Sequence, residues 1–423
     1  MLCFAAAPAA MADGAAKVDT GDTAWVLAST ALVMIMTPGL GLFYAGMVRR
    51  KNALGTILQS FIMCGLAAVL WVLYGYSLAF GPDHGHVIGS LDWIGLRNVG
   101  LAPYAPYSAT IPHQAFMIFQ CMFAVITPAL ITGAIAERMA FKSFFIFMIV
   151  WFTIVYCPVA HWVWGTGGWL RELGALDFAG GTVVHICSGI SALCAAIVLG
   201  RRKGFGREDF KPHNLTMTLI GTALLWFGWF GFNSGSALGA NGLAANAFVV
   251  TNTAAATAAI AWLIIEWIHR GKPTALGAAS GAVAGLVGIT PASGFVGPMA
   301  SIAIGAIVSV VCYSAIMLKG KLGYDDSLDV FGVHGVGGTW GAIATGLFAS
   351  VAINSAGDNG LFQGNAALLG KQLIAIVSVG AYSFILTFII LKVIGIFTPL
   401  RMSKGDEETG LDLTQHGEVA YNL

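Results

Sequence analysis

The sequence predicts an all-α integral membrane protein of eleven transmembrane helices, built as a 5+5 inverted repeat with one extra helix. Three observations lead there: scarce charge, a ladder of apolar windows of bilayer-spanning length, and a polar motif that recurs five spans apart. Only 10% of the 423 residues are charged and 57% are hydrophobic, against roughly 25% charged in an average soluble domain. So few charges cannot clothe a soluble chain of this length, and most of the surface must face lipid. The 55 glycines are about twice the usual share of roughly 7%. Small residues of this kind let membrane helices approach closely.

The net charge of +1 offers no basic patch for nucleic acid. The seven cysteines, Cys3, Cys64, Cys121, Cys157, Cys187, Cys194 and Cys312, are odd in number and fall mostly in apolar runs. With no CxxC and no Cys/His ligand spacing, they read as small core residues. No metal and no cofactor is expected.

A helix needs about 20 apolar residues to cross a bilayer. Apolar windows of that kind lie at 24–48, 55–80, 112–136, 143–164, 176–200, 213–233, 242–268, 274–291, 297–318, 330–351 and 370–398. Residues 24–398 thus form one transmembrane domain, with an extension at 1–23 and a polar tail at 399–423. The extension contains Ala10-Met11-Ala12, an A-x-A pattern like the end of a leader peptide, although the basic start of a leader is missing. The stretch 81–111 is hydrophilic and rich in turn residues.

Lysine and arginine set the orientation, because they accumulate in cytoplasmic loops. With the N-terminus outside and the C-terminus inside, all but four of the 21 fall on the inner side; the exceptions are Lys17, Arg97, Arg171 and Lys371.

The fifth and tenth spans open alike. Asp177 precedes a glycine-containing apolar run that ends at His185, and Asp329 precedes one that ends at His334. An ionisable group inside a membrane is costly and marks a site by default, although a histidine satisfied by a backbone carbonyl is the plainer alternative. At about 1.5 Å per residue, upright helices would leave the two rings about 10 Å apart in depth. Asp177 and Asp329 stand where a carboxylate can cap free helix amides. Capping is the expected role of Asp329, while Asp177 could cap or touch a solute. Odd span counts with equivalent halves are common in secondary transporters, whose sites lie between the repeats.

Aromatic residues gather near the outer ends of several spans. Phe119 and Phe123 are one helical turn apart, Trp164 ends the fourth span, and Trp229 and Phe232 end the sixth, with Ser236 four residues on. Such residues form interfacial girdles in many membrane proteins. Facing a vestibule, they would attract a small cation through the ring quadrupole. Enzymatic readings fare poorly. There is no HExxH, residues 364–371 lack the spacing and the Ser/Thr of a phosphate loop, and Gly235-Ser236 has no nucleophile-elbow context.

Seven segments in order carry a family resemblance: GLFYAGMVRRKN (41–52), WVLYGYSLAFG (71–81), GAIAERMAF (133–141), GALDFAGGTVVHI (174–186), GWFGFNSGSA (228–237), DVFGVHGVGG (329–338) and GLDLTQHGEVAYN (410–422). From about residue 24 onward the chain resembles the Amt/Mep/Rh family of ammonium transporters, the bacterial type in particular. The resemblance implies eleven spans in a five-plus-five repeat, a homotrimer in a bacterial inner membrane, and one pore per subunit. It assigns Phe119, Trp164 and Ser236 to an outer ammonium site supported by Asp177, Phe123 and Phe232 to a phenyl gate, and His185 and His334 to a twin-histidine pore. Gln120, Trp229 and Thr290 fall at supporting positions of the same pattern. It also implies that the tail is a structured segment near the inner loops and helps a PII-type nitrogen-signalling protein dock, whereas its composition alone allows a disordered end. Two other readings remain open at this stage: an Rh-like channel for another small neutral gas or methylamine, and an ammonium sensor. A neutral gas has no use for a cation vestibule, and a sensor would normally carry an output domain after the last span.

Overall fold

A computed structural model describes residues 17–422. The leader-like Ala10-Met11-Ala12 and Cys3 lie outside the described residues. The chain runs through α1 (Thr20–Met47), α2 (Arg50–Phe80), α3 (His113–Ile135), α4 (Phe141–Leu173, broken by a turn at 165–168), α5 (Gly181–Leu199), α6 (Leu215–Ala237), α7 (Gly242–Arg270), α8 (Ala275–Ile289), α9 (Pro298–Leu322), α10 (331–348) and α11 (Ala366–Phe397). Two short helices close it, α12 (Lys404–Thr409) and α13 (Leu411–His416). Among the described residues, nine helices are long and apolar enough to cross a membrane; α8 and α10 are not among them. The eighth expected span, 274–291, coincides with α8, whose 15 residues rise only about 22 Å. All of α8 from Gly281 onward is buried, and a buried turn at 290–295 continues it. A helix walled in by protein is not held to the length that lipid demands.

Local chemistry sets the helix starts. Asp19 Oδ1 accepts from Asp22 N at the head of α1 (2.8 Å), and Asn214, Asn241, Thr274 and Asn365 cap α6, α7, α8 and α11 in the same way. Glycine sets the packing. α1 lies along α6 so closely that a Cβ at Gly221 would sit 2.3 Å from Phe43 N, and one at Gly305 in α9 would sit 2.4 Å from Ala254 O in α7. Such spacing suits membrane helices, where association relies on van der Waals contact rather than on the hydrophobic effect.

One end of the bundle carries two small antiparallel hairpins. β1 (Asp83–His84) pairs with β2 (Ile88–Gly89), and β3 (Pro103–Tyr104) pairs with β4 (Ser108–Pro112). The opposite end carries the tail and a buried charge network. Arg202 holds Asp325 through its backbone N (2.7 Å) and guanidinium (Nη2–Oδ1 2.8 Å) and reaches Glu137 Oε2 (3.1 Å). Arg49 closes on the same Glu137 (3.0 Å), and Arg138 donates to Asp325 O (2.6 Å).

The tail is folded onto this network. Asp412 accepts from Leu54 N (3.0 Å) and Gly55 N (2.8 Å), Leu411 N donates to Asn52 Oδ1 (2.9 Å), and Arg401 pairs with Glu407. Tyr421 OH meets His213 Nε2 (3.2 Å). Of the two readings of the tail, the structure shows the ordered one that the resemblance implied. Its polar groups find partners in the first turn of α2 and in the segments that lead into α4 and α6.

At the same end, Asp326 is fully buried. Its Oδ2 accepts from Phe331 N (2.7 Å) while Oδ1 has no partner among the described residues. Burial pushes this carboxyl up to about 6, with Lys319 opposing and Asp329 adding to the shift. A folded-state value above the unfolded one of about 3.9 costs stability as pH rises from about 4 to about 6. Asp326→Asn keeps an acceptor for Phe331 N and removes the charge. It is expected to stabilise the protein by up to about 3 kcal/mol at neutral pH and by little below about pH 4. Thermal unfolding in detergent at the two pH values measures this, and equal melting temperatures for variant and wild type at neutral pH would contradict it.

Candidate functional site

α5 starts on a carboxylate. Asp177 Oδ1 accepts from Gly180 N (2.8 Å) and Gly181 N (2.6 Å); Oδ2 accepts from Thr182 N (2.8 Å), Val183 N (3.2 Å) and the Thr182 hydroxyl. Both oxygens are thus committed to the helix. Of the two roles open to Asp177, the geometry favours the cap, while its main-chain carbonyl accepts from Trp164 Nε1 (2.8 Å). The turns that follow are wide. Gly181–Ile186 and Phe331–Gly335 are both π-helical, a form that recurs at functional sites, and each carries one histidine.

The expected cap at Asp329 is not what forms. Asp329 stands in the left-handed region (φ 61) and pairs with Lys319, while Asp326, three residues earlier, takes Phe331 N. The left-handed backbone turns Asp329 away from the helix end and into the wall of a cavity.

His185 and His334 meet. Their Nδ1 atoms are 3.2 Å apart and their ring centroids 5.3 Å, with planes 21° from parallel. The depth gap of about 10 Å assumed upright helices. Instead α5 and α10 touch glycine to glycine: a Cβ at Gly189 would lie 2.2 Å from Gly335 N, and one at Gly338 would lie 2.8 Å from His185 Cβ.

Aromatic rings continue the line. Trp229 stacks on His185 (5.5 Å, 16°) and donates to Thr290 Oγ1 (2.9 Å). Phe232 lies 6.1 Å from His185 and 4.5 Å from Phe123, whose ring meets Trp164 edge-on at 5.5 Å. Phe119 is fully buried behind Phe123 (5.1 Å, 77°). Gly235 packs against it, and a Cβ added there would lie 2.9 Å from the ring atom Cε2.

Three cavities follow one another along these residues. At the hairpin end a mouth of about 160 Å³ is lined by Gln120, Phe123, Trp164, Ser236, Tyr107 and Arg171 among others. Ser236 Oγ donates to Phe232 O (2.8 Å), and Gln120 Oε1 has no partner among the described residues. Behind the Phe123–Phe232 contact lies a gap of about 10 Å³ between Val184, His185, Leu225, Trp229, Phe232 and His334. A third cavity of about 50 Å³ begins at His334 and Val283 and opens past Tyr44, Ser280 and Asp329 toward the tail end. Sequence reasoning missed Tyr107, Arg171 and Tyr44. Tyr107 sits in the turn between β3 and β4, Arg171 in the short helical turn after the break in α4, and Tyr44 in an apolar run in which its hydroxyl simply bonds Leu130 O (3.0 Å).

A multi-pass helical protein with a narrow apolar passage between two polar mouths is a membrane protein of the channel type. This chain belongs to the ammonium transporter family: the profile of the Ammonium Transporter Family matches residues 24–421, and the function of the chain is ammonium transport rather than catalysis. It is 56% identical over 402 residues to the ammonium transporter of Bacillus subtilis, covering 95% of this chain and 98% of that one. It is 51% identical over 401 residues to Amt1 of Archaeoglobus fulgidus, covering 95% and 99%. The crystal structure of Candida albicans Mep2 superposes with a TM-score of 0.88 at 38% identity, covering 96% of this chain and 91% of that one. A structure described as a sensor Amt protein superposes at 0.86 with 30% identity, covering 94% and 98%.

Proposed function

We propose that ammonium is captured at the mouth beside Trp164, loses its proton at the Phe123–Phe232 contact, and crosses as ammonia along His185 and His334. The observation that carries this is the succession of cavities, wide and polar at both ends and narrowest at the two imidazoles. The physical reason is selectivity. Potassium matches ammonium in charge and nearly in size, so a wet pore would pass both. A dry apolar gap penalises any intact cation, and only ammonium can avoid the penalty by giving up a proton. The Nδ1–Nδ1 contact holds one proton, so one ring presents a bare Nε2 and the other an N–H. Among the described residues His185 Nε2 is buried without a protein partner, which leaves it free for a small hydrogen-bonding solute.

Eleven spans in two inverted halves complete the reading. It draws support from the packing of α1 on α6 and of α5 on α10, the pairs that such a repeat would relate. The hairpin end faces outward and the tail end inward, since the tail end gathers Arg49, Arg138, Arg202 and Arg401. The homotrimer and the bacterial inner membrane rest on family membership. The ordered tail offers the inner surface on which a PII-type protein would dock; failure to co-purify with one in any nucleotide state would count against that part.

His185→Asp and His334→Ala in proteoliposomes test the pathway. Either variant is expected to lose ammonium uptake or its exclusion of potassium. Undiminished, potassium-excluding uptake in both would remove the histidine pair from the mechanism.

A further inference from the structure

Three residues before Trp164 on α4, His161 is fully buried. Its Nδ1 lies 3.0 Å from Ala79 O and its Nε2 lies 2.9 Å from Asp83 Oδ1. A carbonyl and a carboxylate only accept, whereas a neutral imidazole donates from one nitrogen alone. Satisfying both contacts requires the doubly protonated ring. The bifurcated bond from His86 N (2.9 and 3.2 Å) favours the ionised form of Asp83, which leaves the proton on the ring. Burial alone would raise the Asp83 carboxyl, but the bonds from His161 and His86 hold it below its usual range.

Both ends of this pair join the walls of the mouth. Ala79 is followed by Phe80, which lines the mouth and whose carbonyl accepts from Tyr107 OH (2.6 Å); the same hydroxyl accepts from Thr166 N (3.1 Å). His161 O accepts from Gly165 N (2.9 Å), so the ring sits on the turn that carries Trp164. Trp162 Nε1 donates to Val87 O (2.8 Å), and the His86 ring meets Gly167 O (2.7 Å), so the hairpin of β1 and β2 is tied across the end of α4.

We propose that the buried His161 ring and the surface carboxylate of Asp83 form an imidazolium–carboxylate staple that positions Trp164 and Tyr107 for cation capture. The staple rests on the reading of the mouth as the capture site. His161 is a positioning residue; it touches neither mouth nor passage. Asp83 cancels its charge, so a cation arriving at Trp164 meets no uncompensated imidazolium. The other titratable or charged groups that face the staple are His86 on the hairpin, Tyr107 between β3 and β4, and Arg171. The Arg171 guanidinium is already held by Trp164 O (2.7 Å). Loss of the ring proton leaves Ala79 O or Asp83 without a donor and loosens the mouth.

Methylammonium uptake by whole cells tests this, with half-saturation and maximal rate read separately over external pH of roughly 5 to 8. His161→Phe fills the space without a donor, and Asp83→Asn removes the carboxylate from the accessible hairpin. Each is expected to raise the half-saturation concentration about threefold to tenfold at an unchanged maximal rate, and to flatten its pH dependence. His161→Gln, which keeps one donor group, is expected to recover part of the loss. Nitrogen-15 NMR of histidine-labelled protein should show both ring nitrogens of His161 protonated in the wild type and not in Asp83→Asn, a readout independent of transport. Trp164→Leu is the control. If it weakens capture while Asp83→Asn and His161→Gln behave as wild type, the staple is refuted and the capture site stands. If Trp164→Leu leaves half-saturation unchanged, the capture site falls and the staple's role falls with it. A neutral His161 in the wild-type spectrum refutes the staple directly.

Discussion

Gly189→Ala is expected to lower ammonium uptake about 100-fold although the substitution adds a single methyl group. The new Cβ would lie 2.2 Å from Gly335 N, 2.4 Å from Gly335 Cα and 2.9 Å from His334 C. All three are backbone atoms, so no side chain can rotate away. α5 and α10 must separate by roughly 1 Å to restore van der Waals contact, and that displacement falls on the 3.2 Å contact between His185 and His334. The overpacking itself costs about 1–3 kcal/mol, so the protein should still fold and insert. Gly65→Ala in α2 is the matched control, since nothing lies within 4 Å of a Cβ there, and it should transport normally. Wild-type uptake by folded Gly189→Ala protein would mean that the spacing of the two imidazoles does not matter.

Arg202→Ala is expected to cost about 3–5 kcal/mol of stability, the largest effect of any single change at the tail end. The Asp325 and Glu137 side chains are 0% and 1% exposed, and Arg202 is shared between them. Its removal leaves two carboxylates that water cannot reach. Burial alone would raise both carboxyls. Bonds and charge from Arg202, with Arg138 beside Asp325 and Arg49 beside Glu137, hold them below their ordinary values. A group whose folded-state value is depressed stabilises the fold above its unfolded value, about 4 for these residues, and loses that contribution as pH falls through the folded one. Wild-type thermal stability should therefore drop once pH passes below about 4, and Arg202→Ala should drop less. Equal melting temperatures for the variant and the wild type at neutral pH would show that Arg49 and Arg138 suffice to hold the network. Because Arg401 O-acceptors at Leu199 and Arg201 adjoin it, the tail should also become more sensitive to protease in the variant.

The places where sequence reasoning stopped share one cause. Span positions were legible because a bilayer imposes a length and a polarity on every helix that meets it, and that demand is written locally. α8 and α10 are the exceptions, because protein largely encloses both. The glycine-rich openings of α5 and α10 drew attention to His185 and His334, yet a rise per residue cannot say whether two helices lean together. Asp329 looked like a cap by position, but one left-handed residue handed that task to Asp326. Phe119 and Phe123 have the same spacing from either side, and only packing decides that one backs the other.

Composition and periodicity alone thus determined that this chain lives in a membrane, where its helices lie, and which few polar groups are costly enough to need a purpose. Each is a property of one segment and its solvent. Tertiary structure decided that two imidazoles meet within hydrogen-bonding distance, that Arg202 binds two carboxylates at once, and that the tail folds back on the inner-end segments. Those contacts join residues more than sixty positions apart, and they depend on distances of a few ångströms that glycine-to-glycine crossings set and no local pattern records.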